Sequence, residues 1–142
     1  RKALELDENY FLNHLWLGRA YQEKGMIKEA IAEYQKAIPL SGGIPLTIAA
    51  LGHAYAVSGN RDQAHKVLEE LYELSQRRYV TSYYPAVIYT GLGEEDRAFE
   101  CLEKAYEERS QALVGLKIDP HLDPLRLDQR FTALLKKMGL EK

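Results

Sequence analysis

Apolar residues recur along this chain three and four positions apart, in blocks separated by glycine. Ile31, Tyr34, Ala37 and Ile38 form one such stripe, and Val67, Leu68 and Leu71 a second. Phe99, Leu102, Ala105 and Tyr106 form a third. Each stripe is the apolar face of an amphipathic helix whose other side is polar. The pattern predicts helices over about 9–24, 27–39, 45–58, 61–76, 83–92 and 95–109. Pro45 suits a first helical turn, where its missing N–H is not needed. Ser82 is placed to cap the fifth helix, with Pro85 in its first turn. Glu94, Glu95 and Asp96 open the sixth, as the helix dipole favours.

The blocks are copies of one another. LGRAYQEKGMIKEA (17–30) aligns with LGHAYAVSGNRDQA (51–64) at an offset of 34 residues, and a second step of 34 reaches PAVIYTGLGEEDRA (85–98). Gly18, Gly52 and Ala86 are small where the two helices of a hairpin approach closely. Tyr21, Tyr55 and Tyr89 supply a large amphipathic ring between helices. Gly25, Gly59 and Gly93 fall where a helix ends and the backbone must turn left-handed. Ala30, Ala64 and Ala98 let the second helix of each pair come near the first.

A 34-residue helix-turn-helix unit with these positions resembles the tetratricopeptide repeat. The first copy, residues 11–44, keeps the family's signature at Leu17, Gly18, Tyr21, Ala30, Tyr34 and Ala37. The second, 45–78, keeps Leu51, Gly52, Tyr55 and Ala64; the third, 79–112, keeps Tyr89, Ala98 and Ala105. His14 occupies the usual tryptophan site, with Trp16 two positions later. Residues 1–10 are read as the end of a preceding repeat. The resemblance implies an all-α, right-handed solenoid, and residues 113–142 are expected to add an irregular segment and a capping helix.

In this family the concave wall comes from positions 2, 5, 9 and 12 of each repeat, and that wall is the usual binding surface. The resemblance therefore implies Leu12, Leu15, Arg19 and Gln22 from the first copy and Leu46, Ala49, His53 and Ala56 from the second. Val80, Tyr83, Val87 and Thr90 follow from the third. The wall is apolar, with Arg19, His53 and Tyr83 as polar points, and suits an amphipathic helix or an extended apolar peptide. Leu12, Leu15 and Ala49 stand at or near positions where specialised members carry Lys, Asn and Arg to grip a peptide carboxylate, so chaperone-tail binding is not expected.

Composition narrows the partners. A net charge of −2 lacks the clustered Lys and Arg that nucleic acid requires. No stretch approaches the roughly 18 apolar residues of a membrane span, and RKALELDENY (1–10) has no signal-peptide core. The chain opens in helix-like sequence rather than on Met and is read as a piece of a longer, cytoplasmic protein. The single cysteine, Cys101, is expected to be a small buried hydrophobe. There is no phosphate-cradling glycine loop, GxSxG elbow or HExxH helix. The reading is non-enzymatic, without metal or cofactor.

After Arg109 the 34-residue register fails. LKIDPHLDPLRLDQRF (116–131) contains an Asp-x-His-x-Asp spacing at Asp119, His121 and Asp123, which first suggests a metal ligand set. Both aspartates precede proline, the setting of turn-starting residues, and the stretch is read instead as a hinge and lid. Asp128 is the expected N-cap of a final helix, about 128–138, whose Phe131, Leu134, Leu135 and Met138 share one face and which Gly139 ends. The run from Arg97 to Leu140 is similar to the C-terminal signature of repeat arrays in bacterial multidomain regulators. The expected function is a protein–protein interaction module that holds a peptide or protein in its groove. The alternative is a structural module, packing against its own effector domain or forming a homodimer.

Overall fold

The computed structural model describes residues 2–111, 113, 116 and 119–139, and for residues 2–10 it describes the backbone alone. Among the described residues every regular element is a helix: α1 (Lys2–Glu23), α2 (Ile27–Leu40), α3 (Pro45–Val57), α4 (Arg61–Ser75), α5 (Tyr83–Leu92) and α6 (Glu95–Glu107). A 3-10 helix (Pro120–Leu125) and α7 (Gln129–Lys137) complete the chain. Successive helices pair into hairpins, α1 with α2, α3 with α4 and α5 with α6. Their turns pass through Gly25, Gly59 and Gly93 at φ +80, +88 and +78, a region that side-chain-bearing residues avoid.

Two boundaries differ from expectation. α1 is unbroken from Lys2, so residues 3–10 lie in the same helix as the first repeat copy instead of ending before it. Ser82 stands at the start of α5 but makes no cap, because its hydroxyl donates to Glu108 Oε2 at 2.9 Å. Thr81 takes over that task, its Oγ1 accepting from the Tyr83 N–H at 3.2 Å.

Each hairpin closes around its smallest residue. Ala30, Ala64 and Ala98 have no exposed surface. A Cβ added to Gly18 would lie 2.5 Å from Tyr34 Cε1, and one added to Gly52 would lie 2.6 Å from Ile88 Cδ1 and 2.8 Å from Val67 Cγ1. The core divides accordingly. A smaller cluster joins Leu15, Ala30, Tyr34, Leu51 and Ala54, and a larger one runs from α3 through α6 into the C-terminal segment. Half-buried Tyr55 touches both.

The C-terminal segment seals the last hairpin. Leu122, Leu125 and Leu134 are fully buried and Phe131 nearly so. At roughly 1.5–3 kcal/mol per buried side chain, these four anchor the cap strongly. Asp128 caps α7, its Oδ1 accepting from the Arg130 N–H at 2.8 Å. Arg130 then donates to Asp96 Oδ1 at 2.8 Å and lies over the Phe99 ring, while Lys137 donates to Glu103 Oε1 at 2.6 Å. These exposed pairs orient the helix more than they stabilise it.

The ring beneath Gly18 cannot move aside, because the Tyr34 hydroxyl is itself hydrogen-bonded to Gln22. Gly18→Ala should therefore cost about 1–3 kcal/mol of stability through overpacking. That is despite a gain in helix propensity of about 1 kcal/mol. Urea denaturation measures this, and a variant as stable as the parent would refute the close approach.

Candidate functional site

The first helices of the three hairpins line one side of the array, and the C-terminal segment folds back over it. Leu15, Arg19, Leu46, Ala49, Tyr83 and Val87 converge from α1, α3 and α5 on a single cavity of about 360 Å³. Ala50 and Tyr84 share that wall, each one position beyond a residue expected from the repeat, and Asp119, Pro120 and His121 close it from the tail. An adjoining cavity of about 170 Å³ is lined by Arg19, Gln22, Glu23, Tyr34, His53, Pro120 and His121.

Four of the twelve expected wall residues lie elsewhere. Leu12 is exposed and borders neither cavity. Val80 precedes α5, because that helix starts only at Tyr83, and it packs half-buried on the main core. Ala56 is buried in that core, close to Gly91 of α5. Thr90 is buried with its hydroxyl donating to the Ala86 carbonyl at 2.8 Å. For these last two, the close packing of α3 on α5 covers the surface that the repeat pattern leaves open.

His53 and Tyr83, read from the sequence as polar points on an open wall, are both buried and engaged. The Tyr34 hydroxyl donates to Gln22 Oε1 at 2.9 Å, which turns the amide nitrogen of Gln22 towards His53 Nδ1, 2.9 Å away. An amide nitrogen can only donate, so His53 Nδ1 accepts and its proton sits on Nε2. Burial, with a smaller effect from His121, pushes the His53 pKa down to about 3. The ring is neutral and packs edge-on against His121, centroids 4.4 Å apart.

His121 hands the network on to the tail. Its Nδ1 lies 3.0 Å from Asp119 Oδ1, which also accepts from the His121 backbone N–H at 2.9 Å. Tyr83 donates its hydroxyl to Asp119 Oδ2. Burial pushes the Asp119 carboxyl up, but the hydrogen bonds from His121 and Tyr83 outweigh it and hold the group well below the usual carboxylate range. Tyr83 is pushed well above the usual phenol range, first by burial and then by Asp119. Asp123 instead accepts from Arg126 Nε at 2.7 Å, while Arg126 Nη2 donates to the Asp119 carbonyl at 2.8 Å. The Asp-x-His-x-Asp spacing thus builds a turn and a latch onto the groove. Asp119 and His121 face the wall and Asp123 braces the turn.

Arg19 differs from these neighbours. It borders both cavities, half-buried, with its guanidinium 5.5 Å from the Trp16 ring centroid. Among the described residues it is the cation that lines the apolar cavity. Cys101, half-buried on α6, lines neither cavity, and burial raises its thiol pKa to about 11, which makes it a poor nucleophile.

The tetratricopeptide repeat family model matches residues 13–41 and 86–111. These matches support a tetratricopeptide repeat domain. They cover most of the first hairpin and most of the third. Tetratricopeptide repeats generally mediate protein–protein interaction. No curated protein and no solved structure matches the chain. No helix among the described residues is long and apolar enough to cross a membrane.

The buried His53 ties stability to pH. Its folded pKa lies below the unfolded value, so between about 6.5 and about 3 only the unfolded chain takes up this proton. Stability should fall as pH drops through that window, with a contribution of up to about 1.4 kcal/mol per pH unit. His53→Gln keeps a neutral polar group at the site and should flatten the fall. Denaturation curves of both proteins from neutral pH down to about pH 4.5 measure the difference. Parallel slopes would exclude a buried neutral His53.

Proposed function

We propose that this domain is a protein-binding module that anchors one apolar side chain of a peptide or protein partner in the cavity between α1, α3, α5 and residues 119–121. The convergence of Leu15, Leu46, Ala49 and Val87 on a cavity of about 360 Å³ carries this reading. A largely apolar, concave site with few polar groups is the usual form of a binding pocket. The tail alters what the groove suits. With Asp119, Pro120 and His121 closing it, the wall favours a protruding side chain over a helix lying full length along it. Arg19 at the rim favours an acidic residue, or a terminal carboxylate, beside that anchor. Tyr83, Asp119 and His121 satisfy one another, so they shape the pocket and leave Arg19 to read charge.

The same reading places the module within a larger regulatory protein of bacterial type, on the C-terminal signature between Arg97 and Leu140 alone. Docking onto a partner is then its contribution to that protein, with no chemistry of its own.

The test avoids His53 and Tyr83, whose replacement would loosen the core. Peptides selected from a random displayed library on the immobilised chain should share a large apolar residue next to an acidic one. Combining Arg19→Glu with Leu46→Asp, both at the rim, should weaken the selected peptides by at least about tenfold, or about 1.4 kcal/mol. The thermal transition should stay within a few degrees of the parent, since Leu46 is already exposed. Undiminished peptide affinity in the double variant would overturn the assignment.

A further inference from the structure

The hydrogen bonds beneath the tail use one nitrogen of each histidine and leave the other over. His53 accepts at Nδ1 from Gln22 and so carries its proton on Nε2. That N–H has no hydrogen-bond partner among the described residues, although His53 is only 7% exposed. No buried side-chain nitrogen or oxygen among the described residues is both unpartnered and sealed off, so His53 Nε2 reaches open space. His53 lines the smaller cavity, of about 170 Å³, and not the larger one.

His121 stands beside it with the complementary group. Asp119, held ionised by its hydrogen bonds, can only accept, so the His121 nitrogen 3.0 Å from Asp119 Oδ1 is Nδ1–H. The neutral ring then offers Nε2 as an acceptor, and no described residue uses it. The two rings meet edge to face at 4.4 Å, and both line the smaller cavity. A fixed donor therefore lies next to a fixed acceptor, while the charges on the same lining, Arg19 and Glu23, are opposite in sign. Such a lining suits a neutral guest that carries an acceptor beside a donor, which is the outline of an amide. A carboxylate has no proton for His121 Nε2, and an ammonium has no acceptor for the His53 N–H, so each leaves a desolvated group unmet. The volume matches one small polar group, and Pro120 and His121 of the tail border it, which favours the end of a side chain over a chain passing through.

We propose that the smaller cavity is a subsite for a primary carboxamide, the end of an Asn or Gln side chain of the partner. Its oxygen accepts from His53 Nε2–H and its NH2 donates to His121 Nε2. The inference rests on the reading of the larger cavity as the anchor site, since the two cavities share Arg19, Pro120 and His121. The carboxamide then belongs to a residue near the anchored one.

Propanamide, propionate and methyl propionate, titrated into the intact chain at pH 8, separate an amide from a carboxylate and from a bare acceptor. Imidazole nitrogen NMR should place protons on His53 Nε2 and His121 Nδ1. Propanamide should shift both rings saturably, with a dissociation constant on the order of 10 mM for so small a solute. The other two should bind at least about fivefold more weakly at these rings. His121→Phe keeps a ring against His53 but removes the acceptor, and should weaken propanamide by a similar factor. The comparison of solutes on the unaltered chain stands even if that variant loosens the tail. The opposite tautomers, rings that do not respond to propanamide, or equal responses to all three solutes would each overturn the proposal. Propanamide carries no anchor, so its failure removes the subsite and leaves the larger cavity to the peptide test.

Discussion

The architecture depends on how closely two helices can approach within a hairpin. At Gly18 the approach is so tight that Tyr34 occupies the space where a Cβ would be, and at Gly52 it is Val67 of the same hairpin and Ile88 of the next that do so. Ala30, Ala64 and Ala98 lie on the facing helices and are fully buried. Interiors packed at crystal-like density leave no room for an extra methyl group at such points. Once the helices are this close, the ring of Tyr34 is locked, its hydroxyl points at Gln22, and the amide of Gln22 points at His53. A packing constraint in the first hairpin thereby fixes the tautomer of a histidine in the second.

From His53 the ordering passes to the tail through ring packing instead of a hydrogen bond. His121 lies against His53, accepts orientation from Asp119, and Asp119 is gripped by Tyr83 of the third hairpin. The tail thus touches all three hairpins, since Pro120 and His121 also line the cavity beside Arg19. Pro120–Leu125 form a short 3-10 helix with modest hydrogen bonding of its own. Buried Leu122 and Leu125, with the latch at Asp119, hold it in place. A groove that an unadorned repeat array would leave open becomes a pocket.

The first and third hairpins differ for a related reason. A stacked repeat buries one face against its predecessor and offers another to its successor. At the C-terminal end the offered face is filled by side chains from the chain's own tail. On α1, Leu17 and Ala20 are exposed where their equivalents Leu51 and Ala54 are not.

Much of this was legible in the residues alone because it follows from local periodicity. The helical stripes, the left-handed glycines at 25, 59 and 93, the buried alanines and the capping role of Asp128 each need only a few neighbouring residues to be recognised. Half of the expected wall residues line the larger cavity for the same reason: helical spacing put them on one side. The burial of Ala56 and Thr90 depended on how α3 packs against α5, which no spacing encodes. The Asp-x-His-x-Asp spacing looked like a ligand set because sequence shows which groups are near one another in the chain. It does not show that Tyr83, 36 residues away, satisfies Asp119. Leu17 and Leu51 carry the lesson most simply. They share a residue type and a register, so the sequence by itself determined that both belong to a stacking face; only the tertiary structure decided that one is covered and the other is not, because burial is a property of what lies opposite.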